Sequence, residues 1–312
     1  SPREDGGCGP KPRSDSPVLG RFRNCIRLGR GWAYTMSVET FDAGWLTLRE
    51  PVDHRSRPSD LAERLSLWWA ARGATKVLDL GSGTGSNFRY LSGRLPGPQD
   101  WTLLDHDQAL LERAMAEPAK ASGGVRVTAV AGDLMNEGIT EVQSADLVTA
   151  SALLDLASEE SVDALVEACA SARCAALFAL TYDGRVTWGP DVDAFDEQIL
   201  TAINTHQRRD KGMGRALGPT AGTYTLEAFR RRGYKTFTSA SPWRLTHGDK
   251  VLARALLEGW RDAALDERPD QSDAIRAWSE LRAADLQSPT LQLAVGHVDV
   301  LALPAGEPTG RH

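Results

Sequence analysis

The chain has 312 residues, of which 41% are hydrophobic and 25% charged, with a formal net charge of −6. This is ordinary globular composition, enough for one large domain or two small ones. The acidic balance gives no electrostatic footprint for nucleic acid or an anionic membrane, and no run of eighteen apolar residues is present to span a bilayer. The four cysteines, Cys8, Cys25, Cys169 and Cys174, form no C-x-x-C pair, so their spacing indicates neither a zinc site nor a redox framework. Cys169 and Cys174 lie in an apolar stretch and read as buried thiols of a reducing compartment. No apolar h-region opens the chain, and the expectation is a cytoplasmic protein.

Residues 1–35 are rich in Gly, Pro, Ser and Arg and lack periodicity, and Met36 opens a segment that reads like a protein start. The expectation is that 1–35 is disordered or a non-native leader. A transit peptide is the alternative, opposed by Glu4, Asp5 and Asp15. From residue 59 the pattern becomes regular. Ser59 and Asp60 cap a helix with apolar positions at Leu61, Leu65, Trp68 and Trp69, ended by Gly73. Strands are expected at 76–80, 101–105, 125–130, 145–151 and 174–182, with helices at 86–93, 107–117 and 158–171. Beyond residue 183 come helices at 192–209, 225–233, 248–265 and 270–285, and strands at 234–240 and 291–303. The first five strands are apolar throughout rather than alternating, as in a parallel sheet covered on both faces. The fold expected is therefore α/β, a doubly wound, mostly parallel seven-stranded sheet with helical insertions. The chain reads as one domain over 36–304, with 184–225 and 241–290 as insertions forming a cap and 305–312 as a tail.

The most informative segment is VLDLGSGTGSN (77–87), in which a strand runs into Gly81, Gly83 and Gly85 and then a helix. Glycines there allow positive φ and close backbone approach to a ligand. A dinucleotide loop shares this character, but it places its third glycine five residues after the first, where this chain has Ser86. Asp79, just before the loop, is awkward beside a pyrophosphate and useful beside an ammonium group.

The acidic residue, spacer and G-x-G-x-G pattern of Asp79, Gly81, Gly83 and Gly85 resembles the first motif of the class I S-adenosylmethionine-dependent methyltransferases, and the likeness extends over about residues 55–183. The resemblance implies a Rossmann-like methyltransferase fold, S-adenosylmethionine as cofactor, and methyl transfer as activity. It places a ribose-binding carboxylate on Asp105 and an adenine-flanking residue on His106. Asp133 would accept from the adenine amino group, with the Leu134 backbone reading the ring. Ser151, at the end of the fourth strand, would face the methionine part. In several similar enzymes an arginine before the first helix pairs with the cofactor carboxylate, a place Arg57 or Arg55 could take. Each of these also has a plain structural reading: turn acid, helix-leading acid, surface histidine or solvated charge.

On the substrate side the candidates for a catalytic base are His206, Tyr182 and Asp155, with His206 first for its pKa range; Asp155 reads equally as a helix-start acid. The polar, glycine-rich segment 204–224 reads either as a lid or as a surface loop. No metal cluster is visible. The missing N-P-P-Y and D-P-P-Y motifs and the acidic charge favour a small-molecule acceptor over nucleic acid. A nicotinamide-dependent oxidoreductase and a catalytically silent cofactor-binding protein are the alternatives, and the oligomeric state is not legible.

Overall fold

A computed structural model describes residues 42–116 and 124–306; the leader 1–35 and most of the tail lie outside the described residues. In chain order the elements are α1 (Ala43–Ser56), α2 (Ser59–Arg72), β1 (Lys76–Leu80), α3 (Ser86–Leu91), β2 (Gln99–Asp105), α4 (Gln108–Ala116), β3 (Val125–Ala131), α5 (Ile139–Val142), β4 (Leu147–Ser151), α6 (Glu159–Ala172), β5 (Ala175–Gly189), α7 (Asp196–His206), α8 (Ala221–Arg231), β6 (Lys235–Ala240), β7 (Trp243–Leu245), α9 (Lys250–Glu267), α10 (Ser272–Asp285) and β8 (Gln292–Leu303). The strand order is β3-β2-β1-β4-β5-β8-β6, with β7 also paired to β8. Strands β1 to β5 run parallel, and β8 runs antiparallel to β5, β6 and β7. The order reverses between β1 and β4, which makes the carboxyl ends of β1, β2 and β4 the crevice where such sheets take ligands.

The apolar strands divide their side chains between two cores, as a period of two requires. Leu78, Leu80, Val148, Ala176 and Phe178 face α6 and α8. Val77, Trp101, Leu103, Leu147 and Leu177 face α2, α3 and α4. Within this second layer two polar strand residues, Asp79 and Thr149, have no exposed surface.

Several elements depart from the sequence reading. Helix α1 was not expected: Pro51 lies inside it and its apolar spacing is poor. It forms because Asp42 caps it by accepting the Trp45 N–H at 3.1 Å, because Arg49 and Asp53 pair at i,i+4 at 2.9 Å, and because tertiary contacts hold it, among them Val52 in the core and the Trp243 Nε1–H donated to Asp53 Oδ1 at 3.0 Å. The sheet has eight strands rather than seven. Strand β5 continues to Gly189 instead of ending near 182, and its far end pairs with the start of β8, to which β7 also adds. This extension carries Trp188, whose ring lies 6.0 Å from Trp260 of α9 and 6.2 Å from Trp278 of α10, both edge-on.

Segments 184–225 and 241–290 thus share a third core, which includes Ile199, Ile203, Trp243, Leu252 and Leu257. A nearly buried guanidinium fastens it. Arg282 of α10 pairs with Asp196 at the start of α7, donates to Asp285 Oδ2 at 2.8 Å, and lies over the Trp188 ring at 5.0 Å. Asp196 also accepts the Trp278 Nε1–H at 2.8 Å. Removing a partner from such a charge leaves it uncompensated. Asp196→Ala should therefore cost about 3 kcal/mol, the low end for a broken buried pair because Asp285 remains; urea unfolding measures it, and a loss within error of zero would show that the two insertions are not joined through this contact.

Candidate active site

The site begins at the end of β1. Gly83 sits at φ +52°, where side chains are rarely tolerated, and a Cβ added there would come within 3.1 Å of Leu46 of α1. At Gly81, φ is +59° and an added Cβ would lie 3.1 Å from Leu153, in the turn after β4. The loop is held from β2. Asp105 Oδ2 accepts the Gly83 N–H at 2.8 Å and Oδ1 accepts the Asp107 N–H at 2.9 Å. From the other side Arg89 of α3 donates to the Thr84 carbonyl at 2.6 Å and grips Glu50 of α1 at 2.7 Å. Gly85, at φ +83°, precedes α3.

Asp79 lies fully buried behind this loop. Burial pushes its carboxyl up to about 7, opposed by the Asn87 hydrogen bond and Arg57 and assisted by Asp105. Asn87 Nδ2 donates to Asp79 Oδ1 at 2.6 Å and to Thr149 Oγ1 at 3.1 Å, and Thr149 Oγ1 donates to the Leu177 carbonyl at 2.7 Å. Asn87 was not singled out in the sequence. The signal was present: an amide one turn after the glycines, two residues past the last of them. Asp79 Oδ2 and Ser82 Oγ are buried with no hydrogen-bond partner.

Arg57 stands close by but is nearly buried. Its Nη1 donates to Asn87 Oδ1 at 2.7 Å, its guanidinium lies 4.0 Å from the Tyr90 ring centroid, and its Nε is 3.6 Å from Asp299 Oδ2. Arg55 instead pairs with Asp249 at 2.7 Å. His106 is more exposed, its Nδ1 3.4 Å from Asp105 Oδ1. Asp133 follows β3 as an exposed cap: Oδ1 accepts the Met135 and Asn136 N–H groups at 2.8 and 3.1 Å, while Glu137 accepts the Asp133 N–H at 2.8 Å. The turn it caps carries Leu134, packed against the α6-side core. Ser151 ends β4 in register with Ala179 of β5, and Ala152 after it takes φ +53°.

Beyond β4 and β5 lies a second polar group. Asp155 is nearly buried, its Oδ1 has no hydrogen-bond partner, and burial raises its pKa to about 6 against backbone hydrogen bonds and the charges of Arg49 and Lys211. The Tyr182 hydroxyl donates to Asn204 Oδ1 at 2.9 Å, and Asn204 donates to the Gly184 carbonyl at 2.9 Å; burial raises the Tyr182 pKa, so the phenol stays neutral. His297 of β8 is opposite Tyr182 in register, with ring centroids 6.2 Å apart and 5.0 Å to Trp243. Burial, with Arg49, lowers its pKa to about 3. Burial and the charges of Lys211 and Arg209 lower the pKa of His206, Glu267 and Asp266 opposing, and Lys211 acts on Asp155 as well. The glycine-rich segment expected as lid or loop is fastened by Leu217 N–H to the Ala157 carbonyl at 2.8 Å.

Residues 77–173 match a family model described as a methyltransferase domain. No curated protein matches the sequence. An S-adenosylmethionine-dependent methyltransferase from Geobacter sulfurreducens, solved with S-adenosyl-L-homocysteine, is similar at 17% identity over 85% of this chain and 99% of that chain, with a TM-score of 0.41. One from Thiobacillus denitrificans, solved with the same ligand, has 16% identity over 84% and 99%, with a TM-score of 0.40. A cyclopropane-fatty-acyl-phospholipid synthase-like protein from Lactobacillus casei has 14% identity over 83% and 92%, with a TM-score of 0.45.

The chain carries a methyltransferase domain on a Rossmann-like sheet. S-adenosylmethionine is the cofactor that the motif at Asp79, Gly81, Gly83 and Gly85 implies. The residues present fit that cofactor: two buried acceptors without partners, Asp79 Oδ2 and Ser82 Oγ, flank a loop that carries no side chain at Gly81 and Gly83. Gly83→Val should force φ out of its positive region and drive a branched side chain into Leu46. The expected outcome is loss of S-adenosylhomocysteine binding by calorimetry with a retained unfolding transition; unchanged affinity would remove this loop from the site.

Proposed function

We propose that this protein transfers a methyl group to a small-molecule acceptor held over the carboxyl ends of β4 and β5, beneath α1 and a cap formed by segments 184–225 and 241–290. The observation that carries the reading is the buried Asp79 carboxylate, with one oxygen unpaired, directly behind a loop that accepts no side chain. An anion so placed suits the ammonium end of the cofactor. In this reading Gly81, Gly83 and Gly85 admit the amino-acid portion, Asp105 fixes the loop and meets the ribose, and His106 flanks the base. Asp133 and Leu134 bound the adenine, and Ser151 lies at the methionine side. Arg57 supports the site from behind through Asn87. A cytoplasmic location is part of the proposal, consistent with two free buried cysteines, Cys169 and Cys174.

The bound cofactor supplies an electrophilic methyl group on a sulfonium; the chain supplies position, exclusion of water and proton handling. Of the three candidate bases, Asp155 has the best electrostatics. Its pKa of about 6 leaves it ionised yet basic at neutral pH, and its Oδ1 is unpaired. Tyr182 serves as a neutral donor or positioning group. His206 stands with the charges of the α7–α9 contact and is the weakest of the three.

Two experiments test these roles. Incubation with isotopically labelled cofactor and pooled metabolites, followed by mass spectrometry, should show a labelled small-molecule product and S-adenosylhomocysteine; nicotinamide binding without either would support an oxidoreductase. Turnover should rise as pH passes through about 6, because the raised acid must lose its proton to act as a base. Asp155→Asn should abolish that limb and lower kcat by about 10²-fold or more; a variant with full kcat would end the assignment.

Cofactor affinity carries its own pH signature. Asp79 holds its proton up to about pH 7; below that it is neutral and offers the ammonium no charge. Affinity for S-adenosylhomocysteine should therefore fall as pH drops through that value, and Asp79→Asn should flatten the profile. A wild-type profile already flat there would refute Asp79 as the amine's partner.

A further inference from the structure

Four polar side chains form a line behind the glycine loop, and no more than 8% of any of them is exposed: Asp299 of β8, Arg57 between α1 and α2, Asn87 of α3 and Asp79 of β1. Asp299 Oδ2 is 3.6 Å from Arg57 Nε, Arg57 Nη1 donates to Asn87 Oδ1 at 2.7 Å, and Asn87 Nδ2 donates to Asp79 Oδ1 at 2.6 Å. A guanidinium has donors and no acceptor. Asn87 can meet Arg57 only through its oxygen, and that turns its amide nitrogen toward Asp79 and Thr149. With the amide reversed, two oxygens would face each other at Asp79 and two sets of donors at Arg57. The Arg57 charge has left water for a site walled by Tyr90, and an uncompensated charge there is strongly unfavourable. Asp299 is the anion beside its Nε.

The other oxygen of Asp299 is equally engaged. Oδ1 accepts the Leu180 N–H at 2.8 Å and the Ser241 hydroxyl at 2.5 Å. Leu180 takes φ +54° at a register shift of β5, two residues before Tyr182. One carboxylate therefore anchors the backbone that presents Tyr182 and the guanidinium that orients Asn87.

We infer that Asp299 is a positioning residue of the cofactor site, acting through Arg57 to lock the Asn87 amide in the orientation that serves the Asp79 carboxylate. The link to cofactor affinity rests on the reading of Asp79 as the amine's partner. The groups facing Asp79 are Asn87 from α3, Arg57 from the α1–α2 junction and Asp105 from β2. Those facing Arg57 are Asp299, Tyr90, Asp79 and Asp53, and Asp60 also faces Asp299. Removing the Asp299 charge alone takes a negative group out of this set and would ease ionisation of Asp79. Releasing Asn87 acts the opposite way, because Asp79 loses its hydrogen bond. The direction of the change therefore separates a relay from a simple field effect.

The test is calorimetric titration of the full chain with S-adenosylhomocysteine across the pH range that ionises Asp79. Asp299→Asn should move the midpoint of the affinity profile upward and weaken binding at neutral pH by about fivefold, as a rise of one pKa unit from about 7 requires. An unchanged or lowered midpoint with binding retained overturns the inference. Should Asp299→Asn fail to fold, Asp299→Glu, which keeps the charge and displaces the carboxylate from Arg57 Nε, carries the same expectation. A urea-unfolding cycle over Asp299→Asn, Asp79→Asn and the double variant is independent of ligand: coupled effects support the relay, and additive effects overturn it. If the wild-type protein binds no S-adenosylhomocysteine, the cofactor reading fails and the unfolding cycle still decides the relay.

Discussion

A carboxylate with no exposed surface at the end of a parallel strand is the constraint around which this structure is arranged. Asp79 gains nothing by being buried, because its charged form loses hydration and its neighbours must replace what water would have given. The replacement comes from Asn87, a helix residue placed by the glycine turn, and at longer range from Arg57. The charge balance is incomplete, so the carboxyl rises to about 7 and one oxygen remains without a donor. A group in that condition is poised for a cationic ligand, and perturbed acids in a crevice often mark functional sites.

The loop in front of Asp79 is shaped by a second carboxylate. Asp105 accepts from Gly83 and from Asp107, so one residue joins the first and second strand ends and sets the path of the turn. Backbone N–H groups hold it there, a geometry that side-chain substitutions elsewhere cannot supply. This gives β2 two functions, packing through Trp101 and Leu103 and organisation of the loop through its last residue. Helix α1 closes the arrangement from above, with Leu46 against Gly83 and Glu50 against Arg89.

The antiparallel ribbon of β5 and β8 links this cofactor side to the rest of the chain. Within the sheet proper it completes the α/β core; beyond the sheet it carries the tryptophan cluster on which the two insertions pack. Tyr182, His297 and Asp299 all stand on that ribbon, between the parallel sheet and the helical insertions.

The sequence by itself determined the parallel sheet, the glycine turn and the acids at the ends of the first two strands. Each is a local pattern: a continuous apolar run, a fixed glycine spacing, or a carboxylate one residue from a turn. It did not reveal α1, where Pro51 and weak apolar spacing speak against a helix and only contacts with distant segments decide for one, such as Trp243 Nε1 to Asp53 Oδ1 at 3.0 Å across 190 residues. Nor did it reveal β7, three residues long and paired in the sheet with β8. The tertiary structure decided the burial and the partners of Asn87, His297 and Asp299. Burial, amide orientation and charge compensation depend on which side chains the fold brings within a few ångströms, and a linear pattern holds no record of partners far away in the chain.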